Sequence, residues 1–243
     1  MLRCFVACGA ANRVGKMQKK FTNIRVLVFD LDGTLIDSSQ DLAGAVNVAR
    51  ASMGLGPLSH AQVMTFIGNG ARELVRRGIS FESGFASDAQ IELALGHFRK
   101  HYAQHLLDQT RPYPGVREAL DIFAGKTAGP SRSLAVLTNK PLRFTRPILD
   151  GLGLASYFRF IYGEDSFPAK KPDPVGLLSI LRDSHAAPHE AMLIGDSDID
   201  VRTARNAGVW ACGVSYGLSS EQLAACPPDV MLDNLLELPI RLD

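Results

Sequence analysis

The sequence predicts an α/β fold, and three observations carry that expectation. Apolar runs of strand length recur along the chain, amphipathic stretches at helical spacing separate them, and polar clusters follow the C-terminal ends of the runs. Unbroken β-branched and aromatic runs suit strands covered on both faces, as in a parallel sheet. Strands alternating with helices imply βαβ units with helices on both sides. Together these describe a Rossmann-like parallel sheet core.

Residues 1–20 carry Arg3, Arg13, Lys16, Lys19 and Lys20 without a single acid. The apolar stretch Cys4–Ala11 only reaches the lower limit of a secretory signal core, and the segment is poor in the serine of transit peptides. It is expected to be a basic, disordered extension, with Met17 as the effective start. Arg25 to Leu31 is the first buried-strand run. A short helix and a second strand should follow in a simple βαβ unit. Instead, about 75 residues keep helical periodicity, with Leu42, Val46 and Ala49 on one stripe and Ile91, Leu95, Phe98, Tyr102 and Leu106 on another. Tyr113-Pro114-Gly115 then supplies a turn. The spacing predicts a helical cap domain at 37–113, inserted after the first strand of a discontinuous core made of 21–36 and 114–243. Insertions at strand C-terminal ends sit beside the ligand crevice of open α/β sheets. Further strands are expected at Leu134–Thr138, Phe160–Tyr162, Ala191–Ile194 and Val209–Val214. An amphipathic helix is expected through Val175, Leu178 and Leu181.

The chain has 243 residues, 46% of them hydrophobic and 21% charged, with a formal net charge of +1. That content excludes a disordered chain, and the near-neutral balance gives no support for nucleic-acid binding. No apolar run approaches the roughly 18 residues of a membrane span. Cys4, Cys8, Cys212 and Cys226 lack disulfide or zinc spacing, so reduced thiols and a cytoplasmic location are expected.

The chemistry gathers at strand ends. Asp30 and Asp32 flank Leu31 at the end of the first run, and residues two apart in a strand point the same way. Two such carboxylates repel unless a cation lies between them. Asp196, Asp198 and Asp200 end another run. Clustered carboxylate oxygens suit a hard, octahedral cation such as Mg2+, which keeps waters and a substrate phosphate as further ligands. Thr138 and Asn139 can donate hydrogen bonds to an anion, and Lys171, on a segment stiffened by Pro172 and Pro174, offers a point charge.

In this order the four groups, Asp30-Leu31-Asp32-Gly33-Thr34, Thr138-Asn139, Lys171-Pro172 and Gly195-Asp196-Ser197-Asp198-Ile199-Asp200, resemble the haloacid dehalogenase-like hydrolases from Ile24 to about Val214. The cap string Ile67 to Arg77 is similar to bacterial phosphoglycolate phosphatases within that family. The resemblance implies a Mg2+-dependent phosphatase acting on a small phosphomonoester, most readily 2-phosphoglycolate, giving glycolate and phosphate. It implies that Asp30 attacks phosphorus to form an aspartyl-phosphate and that Asp32 acts as general acid and then base. It further implies metal binding by Asp30, the backbone carbonyl of Asp32, and Asp196, with Asp200 supporting that shell. Thr138, Asn139 and Lys171 would bind the substrate phosphoryl oxygens.

Other reactions share such a core. A dehalogenase needs no proton for its leaving halide, so Asp32 argues for phosphoryl transfer. A phosphonatase needs a cap amine, and 37–113 holds a single lysine, Lys100. Phosphatases of other sugar or metabolite phosphates, and a phosphomutase, remain alternatives. A non-catalytic receiver is disfavoured by the Asp30/Asp32 pair and the helical insert. The expected partners are a small-molecule substrate and, at most, a second copy of the chain in a homodimer. His97, His101 and His105 are expected to share a solvated helix face. Arg72, Arg76 and Arg77 are divided evenly between a substrate carboxylate and solvent, and Asp37-Ser38 is expected to cap the first cap helix.

Overall fold

The structure, a computed structural model, describes residues 20–127 and 130–242. Apart from Lys20, the extension expected at residues 1–20 lies outside the described residues, as do Cys4 and Cys8.

In chain order the elements are β1 (Val26–Phe29), β2 (Ile36–Asp37), α1 (Ser39–Ser52), α2 (His60–Met64), α3 (Ala71–Ile79) and α4 (Asp88–Tyr102). Then come β3 (Arg111–Pro112), α5 (Val116–Phe123), β4 (Ser133–Leu137), α6 (Leu142–Gly151) and β5 (Phe160–Tyr162). The remainder is α7 (Val175–Asp183), β6 (Ala191–Gly195), α8 (Asp198–Ala207), β7 (Trp210–Val214) and β8 (Val230–Leu232).

Six strands form one sheet in the order β5-β4-β1-β6-β7-β8, with every pairing parallel. The first strand is thus central, flanked by the later β4 and β6. Its side chains alternate between two cores: Leu27 and Phe29 meet Val116, Leu120 and Phe123 of α5 on one face. Val26 and Val28 meet Leu177 and Ile180 of α7 and Val201 of α8 on the other. Burial on both faces is why the run shows no polar alternation. Each such large side chain contributes about 1.5–3 kcal/mol.

The helices α1 to α4 enclose a separate apolar cluster, built from Val46 and Ala49 of α1, Leu74 and Val75 of α3, and Leu95 and Phe98 of α4. Phe144 of α6 is buried in it too, so the cap cluster reaches into the core. Arg50, 1% exposed, ties the cap together. Its guanidinium donates to the carbonyls of Gly56 and Gly78 and to the Glu82 carboxylate. The cap leaves and rejoins the sheet through an antiparallel ribbon in which β2 pairs with β3.

Two expected details differ. The helical stripe predicted to run through Leu106 stops at Tyr102. Further along, the Asp41 carboxylate accepts the backbone N–H of Gln109 and Thr110 and the Thr110 hydroxyl at 2.7–3.1 Å, fixing the return to β3. On α7 the buried face is Leu177, Ile180 and Leu181, while Leu178 is 44% exposed. The predicted stripe was rotated by one residue, since i, i+3 and i+4 from Leu177 meet the sheet.

Candidate active site

The loop after β1 is wound tightly. The Leu31 carbonyl accepts the N–H groups of Thr34, Leu35 and Ile36, and Gly33 turns at φ +83°. A side chain on Gly33 would collide with Asp196, its Cβ lying 2.1 Å from Oδ2. Glycine therefore serves twice here, for a left-handed turn and for close approach to a carboxylate. A side chain on Gly217 would collide with Asp196 from another side in the same way.

This packing brings Asp30 from β1 together with Asp196 and Asp200 from the end of β6 and the start of α8. One oxygen from each lies within 4.8 Å of the others, and all three residues are buried. Lys171 enters from the loop before α7, its Nζ 2.9 Å from Asp30 Oδ1 and 2.6 Å from Asp200 Oδ1. Asp200 also accepts the Ser197 hydroxyl at 2.6 Å, and Asp196 accepts the Ser219 N–H at 2.9 Å. Burial pushes the Asp30 carboxyl up to about 6; Lys171 opposes this, and Asp200 adds to it. Asp196 is raised well above the ordinary carboxylate range by burial first, then by Asp200 and Asp30.

Three buried carboxylates facing one ammonium leave excess negative charge, which a hard cation would neutralise. The donor set is all oxygen, with no histidine or cysteine, and so fits Mg2+. The carboxylate of Asp32 is not part of this triad. It accepts the Ser38 hydroxyl at 2.5 Å and Lys140 Nζ at 2.9 and 3.1 Å.

Thr138 and Asn139 sit buried at the end of β4. Thr138 Oγ1 accepts the Lys140 N–H, and Asn139 Nδ2 donates to the Lys171 carbonyl at 3.1 Å. Asn139 Oδ1 has no partner in the buried site. Asp30, Asp32, Thr138 and Asn139 all line one cavity beneath the cap, whose wall also includes Ile67, Leu74, Phe98, Tyr102 and Phe144. Cap and core touch at its rim, where Lys170 Nζ donates to the Asn69 carbonyl at 2.8 Å and Asn139 Nδ2 approaches that of Gly68 at 3.4 Å.

Several side chains at this site escaped the sequence reading. Ser38 and Asp37 were expected to cap α1, and only Asp37 does so, accepting the Ser39 N–H at 3.0 Å. The Ser38 hydroxyl is turned instead to Asp32. Lys140 follows Asn139 directly, so its position at a strand end was the available signal. Tyr102, which accepts from Lys140 Nζ at 2.7 Å, read as an apolar stripe residue. The three arginines are committed within the cap: Arg72 to Asp88 and Glu92, and Arg76 and Arg77 to Glu73. His101 and His105 stack at 4.2 Å, although His105 lies beyond α4 and pairs with Asp108.

A Rossmann-like sheet, a helical insert after its first strand and aspartates at the switch between β4 and β6 define a class of capped hydrolases. Residues 27–214 match the haloacid dehalogenase-like hydrolases, and the chain belongs to that family. It is 41% identical over 218 residues to phosphoglycolate phosphatase 1 of Pseudomonas aeruginosa, covering 88% of this chain and 78% of that protein. To the phosphoglycolate phosphatase of Vibrio parahaemolyticus it is 38% identical, covering 89% and 95%. Among solved structures, a predicted phosphoglycolate phosphatase from Haemophilus somnus superposes with a TM-score of 0.83 at 30% identity, covering 90% and 97%.

Proposed function

We propose that this chain is a Mg2+-dependent phosphatase that hydrolyses 2-phosphoglycolate to glycolate and phosphate. The observation that carries the reading is the placement of Asp30, between a buried ammonium and two further carboxylates, and Asp32 on the wall of one capped cavity. The substrate is supported by the similarity to phosphoglycolate phosphatases, which extends over 88–89% of this chain.

Asp30, Asp196 and the backbone carbonyl of Asp32 would hold the metal, with Asp200 behind them. The bound cation would neutralise charge on the carboxylates and on the phosphoryl oxygens. Asp30 attacks phosphorus in line; the new Asp30–phosphorus bond forms as the ester bond breaks. Asp32 gives its proton to the departing glycolate oxygen. It then takes a proton from the water that displaces Asp30, releasing phosphate and the free carboxylate. Thr138, Asn139 and Lys171 donate to the equatorial oxygens, where charge spreads in the transition state. Lys171 stays cationic because, although burial works against its charge, Asp200 and Asp30 together outweigh it. The cap limits water at the cavity during the first step.

No helix among the described residues is long and apolar enough to cross a membrane. Our reading includes a cytoplasmic enzyme, monomeric or homodimeric. Phosphate release from a panel of phosphomonoesters, with Mg2+ and with a chelator, tests it. We expect Mg2+-dependent turnover, highest on 2-phosphoglycolate and independent of any added bisphosphate. Dependence on a bisphosphate without phosphate release would indicate a mutase instead.

A further inference from the structure

Lys140 is the only cation among the described residues lining the cavity. Its buried side chain makes a two-pronged contact with Asp32, at 2.9 and 3.1 Å, and donates to the Tyr102 hydroxyl at 2.7 Å. Accepting from a lysine directs the phenolic O–H of Tyr102 to donate elsewhere, and Tyr102 lines the same cavity. Ring contacts with Phe98 and Phe144 hold it in place. Neither Arg72, Arg76 nor Arg77 reaches the cavity wall, and each is paired with cap acids. The remaining wall on the cap side is apolar. An anion that passes the rim, where Lys170 is held by the Asn69 carbonyl, meets Lys140 as the one ammonium among the described lining residues.

We propose that Lys140 and the Tyr102 hydroxyl seat the carboxylate at the non-reacting end of the substrate, and so select a short phosphorylated hydroxy acid over neutral esters of equal size. This rests on the hydrolase reading above and names the residues that choose its substrate. The geometry follows from the leaving oxygen, which must lie within hydrogen-bond reach of Asp32 to receive its proton. In a two-carbon phosphorylated acid the carboxylate begins one carbon beyond that oxygen. It is thereby brought beside the ammonium that already touches both oxygens of Asp32. One prong of the Lys140–Asp32 contact can pass to the substrate without leaving either group unpaired, as a flexible ammonium with three donors allows. The flanking phenol adds a second donor, and the apolar wall strengthens both by excluding water.

The test compares kcat/KM for 2-phosphoglycolate with that for 2-hydroxyethyl phosphate, which replaces the carboxylate by a neutral hydroxymethyl group. The wild-type chain should prefer the acid. In Lys140→Met that preference should fall by about 10- to 100-fold, chiefly through KM for the acid, as for a lost charge-assisted hydrogen bond. Lys140→Arg should retain more of it. Tyr102→Phe, which keeps the ring packing, should lower it by about 3- to 10-fold, and it carries the test if Lys140→Met does not fold. Equal losses on both esters, with the preference intact, would mean that Lys140 only positions Asp32, and the proposal fails alone. A wild-type chain that turns over both esters without preferring the acid would overturn the 2-phosphoglycolate reading and the proposal with it.

Discussion

Asp30 and Asp32 are two residues apart and are drawn to different cations. Asp30 faces Lys171 and the carboxylates of Asp196 and Asp200, whereas Asp32 is held by Lys140 and Ser38. The strand ends at Phe29 and the chain turns at Gly33, directly after Asp32, so the two carboxylates do not continue one strand face. Two roles for one residue type follow from these surroundings, and substitution separates them. Asp30→Asn should bring phosphate release to background, and persisting turnover would exclude the aspartyl-phosphate route. Asp32→Asn should slow 2-phosphoglycolate hydrolysis by roughly 10²- to 10⁴-fold. Its effect should be much smaller on p-nitrophenyl phosphate, whose leaving group departs without a proton; equal losses would argue against general-acid action. Asp30, Asp32, Thr138, Asn139 and Asp196 stand out in the sequence because each follows an apolar run at a strand end, whereas Lys171 stands out only by its order among the other groups and its flanking prolines. Lys140, Ser38 and Tyr102 do not, since their value depends on partners 6 to 108 positions away.

Among the elements, α3 shows how a helix can satisfy its own charge. Glu73 in its first turn accepts from Arg76 and Arg77 at 2.6–2.7 Å, and these bonds hold its carboxyl down to about 2. A carboxyl depressed in the folded state adds stability that is complete above its unfolded value, near 4.5. That contribution is lost as pH falls toward 2. The cap of wild type should therefore loosen as acid is added across this window. In Glu73→Gln that part of the pH dependence should be absent, as thermal melts from pH 6 to pH 3 would register. An unchanged acid profile would mean that the pairs contribute nothing, as exposed ion pairs often do. The core strands were readable from their apolar runs. The two-residue β2 and β3 were not, because two residues carry no periodicity of their own, and β8 was not expected either.

At the scale of the whole molecule, the triad joins the ends of β1 and β6 to the start of α8, so a bound cation would tie together segments nearly 170 residues apart. Because the unfolded chain has no such site, Mg2+ should stabilise the fold by about 2.7 kcal/mol at a hundredfold excess over its Kd. Thermal melts with Mg2+ and with chelator should differ accordingly, and Asp196→Asn should remove the difference. A wild-type melting temperature indifferent to Mg2+ would count against the metal site. The sequence by itself determined the α/β class, the helical insertion and the strand-end carboxylates, because buried strands and amphipathic helices write their burial into local periodicity. Tertiary structure alone decided how the charges are shared: Lys171 between Asp30 and Asp200, Lys140 between Asp32 and Tyr102, and the cap arginines among cap acids. Ion pairing depends on distances of a few ångströms between segments remote in the chain, and no local pattern of residues records those distances.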